Sequence, residues 1–165
     1  MSGSGSFGVN YLRSFDATVI PTLPATVGAT GSTPEGVFMF VQAGAAIDQY
    51  AFVVISDDGQ AVELTTTNAG SNNLQVGVAQ VAAANDEYLW VWVGGVGGGG
   101  VGTGIKGKCA ASYAADANLY TTATDGVADD ASGSGQVLIA KVVGLTTLTG
   151  AGTVELKSTG YLTVN

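Results

Sequence analysis

From residue 37 onward the chain breaks into short β-branched, apolar runs separated by Gly, Asp and Asn, the pattern of strands joined by tight turns. The first run, VFMFVQA, lies between Gly36 and Gly44. AFVVIS follows between Tyr50 and Asp57, and the turn Asp57-Asp58-Gly59-Gln60 leads into AVELTTT. Asp-Gly between two strand-like runs is a strong local signal for a hairpin. After the polar loop NAGSNN come LQVGVAQVA, a turn at Ala84-Asn85-Asp86, and YLWVWV between Glu87 and Gly94. Beyond a glycine-dense segment at 94–104, the runs are IKGKCAAS, LYTTAT before Asp125-Gly126, VLIAKVV between Gln136 and Gly144, TVELK from Thr153 and YLTV from Tyr161. Strands spaced this closely predict an all-β protein, a small β-sandwich or a β-barrel.

The strand at 88–93 is apolar on both faces. Alternation places Tyr88, Trp90 and Trp92 on one side and Leu89, Val91 and Val93 on the other, so both sides need cover. Large aromatics dominate cores and interfaces, and a second subunit over Tyr88, Trp90 and Trp92 is expected. A sugar-stacking platform is the rival use of the same face.

Residues 1–36 differ in texture. They hold all three prolines (Pro21, Pro24, Pro34) among Gly, Ser, Thr and Ala, and read as an extended N-terminal arm ahead of a β-rich domain at 37–165. The arm nevertheless carries Phe7, Tyr11, Leu12, Phe15, Val19, Ile20 and Leu23, too apolar for an inert tail. Two roles stay open: an edge strand on its own domain, or a contact with another molecule. On the second, Phe7, Tyr11, Leu12 and Phe15 are anchors, Arg13 meets a carboxylate, and deleting the arm leaves a folded domain.

One order of events occurs twice. Strand, Asp-Gly turn (Asp58-Gly59, then Asp125-Gly126), polar loop, apolar strand and closing strand recur over 50–94 and 118–160, which predicts two similar β-units.

Composition narrows the chemistry. Of 165 residues, 26 are Gly, about twice the usual share, which disfavours helix. His is absent, removing the commonest general base, His-dependent nucleophiles and His-bearing metal sites. One cysteine, Cys109, excludes an internal disulfide and is expected to be a small buried residue. Five cations against 13 acids give a net charge of −8, and no cationic run exceeds Lys106-Gly107-Lys108, which speaks against nucleic-acid binding. The opening MSGSGSFGVN lacks a signal-peptide pattern, and no apolar run reaches the roughly 20 residues of a membrane span, so no membrane association is expected.

Three further patterns invite a functional reading. Gly102 to Lys108 has phosphate-loop spacing, but Cys109 stands where a Mg²⁺-binding Ser or Thr belongs and no solid helix follows. Gly95 to Gly100 satisfies a dinucleotide glycine pattern without the β-helix-β unit around it; both matches are expected by chance in so glycine-rich a chain. The acids Asp57-Asp58 and Asp125, Asp129, Asp130 are expected to be solvated, with a Ca²⁺ site in the second group as the alternative. No cofactor or metal is expected.

Ala117-Asn118-Leu119-Tyr120, Ala123-Thr124-Asp125-Gly126-Val127, Val137 to Val143 and Gly152-Thr153-Val154-Glu155-Leu156 together resemble the small β-rich capsid decoration, or cement, proteins of tailed bacteriophages. In that family a short strand ending in Tyr, an Ala-x-x-Gly-x-Val turn, an Ile-Gly-Val-Ala strand and a closing Val-x-Val strand recur. The first half is similar: Val76-Gly77-Val78-Ala79 resembles the third of these and Glu87 to Val93 the fourth. Asp116-Ala117-Asn118 departs from the usual Gly-Asp, Ala140 replaces the strand glycine, and the 94–104 loop has no counterpart. The resemblance implies a β-tulip-like fold and a non-enzymatic virion protein, assembled in the host cytoplasm. It would bind the major capsid protein on the exterior of the expanded head, often as a homotrimer, and stabilise the shell. A phage fibre or carbohydrate-binding module using the aromatic face is the alternative.

Overall fold

The structure, a computed structural model, describes residues 9–18, 23–70 and 74–165. It is all-β, with no helix among the described residues and hence none long and apolar enough to cross a membrane. The strands are β1 (Ser14–Phe15), β2 (Thr30–Thr33), β3 (Gly36–Ala43), β4 (Phe52–Ile55), β5 (Gln60–Glu63), β6 (Gln75–Ala79), β7 (Tyr88–Gly94), β8 (Lys106–Cys109), β9 (Asn118–Thr121), β10 (Ala128–Asp129), β11 (Leu138–Gly144) and β12 (Gly152–Val164). All belong to one mixed twelve-stranded sheet.

Following hydrogen-bonded neighbours, the sheet curls back on itself twice. β3 lies antiparallel to β7 and parallel to β5, β4 is antiparallel to β5 and β6, and β6 returns antiparallel to β7. The second half repeats this order: β8 is antiparallel to β12 and parallel to β10, β9 is antiparallel to β10 and β11, and β11 returns antiparallel to β12. Turns correspond as well. Tyr50 N donates to Ala79 O at 2.8 Å and Asp116 N to Gly144 O at 2.8 Å, with positive φ at both Tyr50 and Asp116. Each unit therefore begins earlier than its hairpin suggests, at β3 and at β8, because the ring needs its parallel strand.

The two rings are built on the same alternation. Alternate residues of β3 to β7, among them Val41, Val53, Ala61, Ala79 and Val91, converge in one buried cluster, which is the interior of the first ring. The opposite faces of these strands carry Phe38, Phe40, Phe52, Val78, Trp90 and Trp92, which join a second cluster with Ile105, Leu119 and Leu156 of the second ring. Gly107 marks the contact: a Cβ there would meet the Phe52 ring at 2.8 Å and Leu156 Cδ1 at 2.9 Å.

Polar bonds fasten the rings. Phe52 N donates to Gly126 O (3.0 Å), Gly126 N to Leu64 O (3.0 Å) and Lys108 N to Tyr50 O (2.8 Å). The buried Gln80 amide brackets one residue of β8, donating to Lys106 O at 2.9 Å and accepting from Lys106 N at 3.0 Å. A buried amide so satisfied fixes register without a desolvation penalty.

Two expectations change here. The closing runs TVELK and YLTV form one strand, β12, which departs from its first register with β11 and then bridges both rings: Tyr161 pairs with Gly94 and Thr163 with Gln75, while Thr163 and Val164 also pair with Ala140 and Ile139 of β11. Opposite this departure β11 bulges at Lys141 (φ 71°), whose stem lies over Gly160. Nor are residues 9–18 and 23–36 free of the domain: β1 pairs with β7, and β2 pairs with β3.

The glycine-dense 94–104 segment is the crossover between rings. Gly95 N, Gly99 N and Gly100 N donate to the carbonyls of Gly160 (3.0 Å), Glu35 (2.7 Å) and Leu156 (2.9 Å), while buried Ser158 donates its hydroxyl to Gly95 O at 2.7 Å. Gly94 has φ 90°, and a Cβ there would land on Leu162 and the Gly160 carbonyl; Gly97 (φ 75°) faces open space. Gly94→Ala should therefore cost more than about 2 kcal/mol, against roughly 1 kcal/mol for Gly97→Ala from left-handed strain alone. Urea unfolding of the two variants checks the difference.

Candidate functional site

The doubly apolar strand β7 is the centre of the candidate site. Trp90 and Trp92 are 3% and 0% exposed within the single chain, and Leu89, Val91 and Val93 are fully buried. The expected second cover exists, but the chain supplies it. Trp92 lies in register with Phe38 and Trp90 with Phe40 across β3, and Trp92 Nε1 donates to Glu35 O at 2.9 Å. Over this layer runs the N-terminal segment. Tyr11 stacks on Phe38 with centroids 4.5 Å apart, Phe15 meets Phe40 edge-on at 6.0 Å, and Phe40 contacts Trp90 at 5.1 Å. Only Trp90 Nε1 is left buried without a partner among the described residues.

This placement corrects the site expected from sequence. Trp90 and Trp92 have no surface to offer a second subunit; Tyr88, stacked on Phe40 at 6.0 Å, is half-buried. Tyr11 and Phe15 pack within the chain, so the edge-strand role describes residues 14–15. Phe7, with Val19 and Ile20, lies outside the described residues. Leu12, 69% exposed, and Arg13, exposed with its guanidinium over Phe15 at 5.4 Å, are the arm residues that still face outward. The reason is area: Phe38, Phe40 and Trp90 offer more apolar surface than two short strands can hide, and aromatic side chains nearby in sequence cover it first.

The phosphate-loop spacing has no loop to match. Ile105 is buried, Lys106–Cys109 form a strand, and Gly102 N donates to the Glu155 carboxylate at 3.1 Å. Lys108 Nζ pairs with Asp48 at 2.7 Å, and Lys106 lies over the Tyr50 ring at 5.9 Å. In the glycine pattern, the N–H groups of Gly95, Gly99 and Gly100 are engaged by the chain's own carbonyls.

The acidic groups serve turns. Asp58 accepts from the Ser56 hydroxyl and from Gln60 N, and these bonds hold its carboxyl below the usual range. Asp130 accepts from Ala114 N at 2.8 Å, and Asp129 accepts from Asp130 N at 2.8 Å. Among the described residues no three His, Cys, Asp or Glu side chains gather as a metal site.

Cys109 is buried inside the second ring; burial, then Asp129 and Asp130, pushes its thiol up to about 12. Nearby Tyr113 donates to Ala117 O at 2.9 Å and accepts from Gly144 N at 2.9 Å, and burial pushes its phenol up to about 12. Both groups are therefore neutral at ordinary pH.

Two surface features escaped the sequence reading. Val96 (92% exposed), Val101 (80%) and Tyr161 (56%) stand outward from the crossover and the strand it leans on. Isolated exposed valines carry no periodic signal. The second feature is an open, largely apolar groove of about 460 Å³ at one end of the second ring, lined by Cys109, Ala110, Ala111, Val127, Ala151 and Thr153 among others. Its residues come from the ends of β8 and β12 and from loops distant in sequence, so no local pattern reveals it.

Compared with known proteins, the sequence matches no family model and no curated protein.

Two outcomes follow from the packing. Phe15→Ala should cost roughly 3 kcal/mol or more, and removal of residues 1–36, which takes away Tyr11, Phe15 and β2, should lower the unfolding midpoint and red-shift tryptophan emission. An unchanged midpoint would mean that the cover contributes nothing. For Cys109 and Tyr113, a folded pKa raised above the unfolded one gives stability that is present at neutral pH and lost as pH rises. Unfolding free energy should thus fall from about pH 9 toward 12, and Cys109 should react with a thiol reagent only on unfolding.

Proposed function

We propose that the chain is a structural virion protein that binds the exterior of a tailed-phage head and stabilises it. One observation supports this above the rest. The segments that resemble decoration proteins fall on corresponding elements of the two rings: 76–79 on β6 and 137–143 around β11, 87–93 on β7 and 152–156 on β12. The Ala123–Val127 stretch, which has Val directly after its Gly where the family has one residue between, is in the turn from β9 to β10, with Gly126 at φ 66°. The likeness therefore follows the architecture instead of scattering over it.

The surface suits a passive binding role. Its acids are engaged in turns, its thiol is buried, and its outward apolar side chains Leu12, Val96, Val101 and Tyr161 are available for contact. The major capsid protein is the partner in this reading, with Leu12 and Arg13 as the arm's contacts. Repetition over many capsid sites multiplies a modest affinity. The carbohydrate-binding alternative loses its platform, since stacking on sugar needs an open ring face and Trp90 and Trp92 have none.

An antibody against the protein, applied to particles from the source of the sequence, should place gold label on heads. Label on tail fibres, or on no particle, would overturn the reading. Leu12→Asp with Arg13→Glu should leave the thermal transition unchanged while weakening head binding about tenfold, the loss of roughly 1.4 kcal/mol; cosedimentation with heads measures it.

A further inference from the structure

The two rings are alike in pairing order but not in what lies on them. In the first ring, β1 runs along one side of the start of β7, with Phe15 opposite Tyr88 and Ser14 opposite Leu89. The next residues, Asp16, Ala17 and Thr18, line a concavity with Gln42, Tyr88 and the 84–87 turn. Register gives the equivalents in the second ring. Ala79 pairs with Val91 and Gly144 with Leu156, so Tyr88 corresponds to Thr153 and Asp86 to Ala151; likewise Ala43, opposite Ala61, corresponds to Cys109, opposite Ala128.

At that equivalent place nothing in the described chain plays the part of β1. Leu145 N donates to Glu155 O at 2.8 Å, so Glu155 faces the β11 side of β12, and the two-residue period turns Thr153 to the same side. No strand among the described residues runs along Thr153 there. The concavity below it is the open groove of Cys109, Ala110, Ala111, Val127, Ala151 and Thr153. Its lining also differs in kind. The first ring's concavity carries Asp16, Asp86 and Glu87, whereas the second ring has Ala151 and Gly152 where the first has Asp86 and Glu87, and its one charged lining residue, Lys108, is paired with Asp48.

We propose that this groove binds residues 1–8 of a second copy of the chain, added as an extended segment along Thr153 with Phe7 on the apolar floor. The first ring shows that this edge accepts an extended N-terminal segment; its Phe15 rests on Phe40, whose equivalent in the second ring is Lys106, so Phe7 takes the neighbouring apolar groove instead. Residues 1–8 lie outside the described part, immediately before Val9, which packs on the first ring's outer face. Their sequence, MSGSGSFG, has no charged side chain, two large apolar side chains in Met1 and Phe7, and between them only Gly and Ser, which fit a shallow groove. Fully extended, eight residues span up to about 28 Å, enough to cross a strand pair. An exposed strand edge supplies main-chain hydrogen bonds, and the groove supplies selectivity for the side chain. Each copy offers one segment and one groove, a head-to-tail contact that closes into a ring of copies when the rotation allows.

The full-length protein in sedimentation velocity tests this without any capsid, so its outcome is separate from that of the virion reading. Wild type should associate with rising concentration. Phe7→Ala, and either Ala111→Arg or Ala151→Arg in the exposed groove rim, should each weaken association roughly tenfold or more with unchanged circular dichroism. In a Cys109→Ala background, separately purified Ser6→Cys and Ala111→Cys chains should form a mixed disulfide dimer on oxidation. A monomer at all concentrations would overturn the proposal. So would association indifferent to Phe7→Ala and both groove variants, or a Ser6→Cys/Ala111→Cys chain that cross-links only within itself.

Discussion

Strand β7 is apolar on both faces, and that one constraint shapes the molecule. Its Leu89, Val91 and Val93 side can be buried by curling the neighbouring strands into a ring, since small and β-branched residues fill the narrow interior. Its Trp90 and Trp92 side then points outward, with Phe38 and Phe40 beside it and Phe52 further round. That surface has to be covered. The chain does so with the N-terminal segment on one part and the second ring on another, both by side chains that leave few polar groups stranded.

Joining two closed rings creates a backbone problem, since a crossover pressed against strands buries its own peptide groups. Glycine resolves it. Without side chains, the 94–104 segment comes close enough for its N–H groups to reach the Glu35, Leu156 and Gly160 carbonyls. Several of its residues take positive φ, where any other residue would be strained. The N–H groups of Gly95, Gly98, Gly99 and Gly100, which a dinucleotide-type loop would turn toward an anion, are thereby taken up by the chain's own carbonyls. Thus the segment most suggestive of nucleotide binding by spacing is the joint of the scaffold.

Repetition with unequal dressing is the feature that links fold to proposed role. The first ring wears β1 and β2, while the second ring has no counterpart of them among the described residues and carries a largely apolar groove. A protein built to be repeated on a surface benefits from a rigid body and a few outward contacts, because rigidity limits the entropy lost on binding. Gln80, Ser158 and the Phe52–Gly126–Leu64 bonds supply that rigidity through satisfied buried polar groups.

Much of this was legible in the chain itself. The short β-branched and aromatic runs at 37–43, 52–55 and 88–93, bounded by turn residues, determined strands, because side-chain fit to a pleated strand and turn chemistry are local. Asp58-Gly59 determined a hairpin turn, because positive φ at Gly59 is a local demand. The two-sided apolarity of 88–93 determined that two covers must exist, and the recurring strand order pointed to two units. What covers Trp90 and Trp92 was decided only in three dimensions, since Tyr11, Phe15, Glu35 and Phe38 come from positions whose approach depends on β1 and β2 finding β7 and β3. The parallel pairings of β3 with β5 and of β8 with β10 likewise left no local mark, as they join residues across intervening strands. The groove of the second ring is tertiary for the same reason: strand ends and loops far apart in sequence form it, and that no strand among the described residues lies there as β1 does on the first ring is visible only when the two rings are compared.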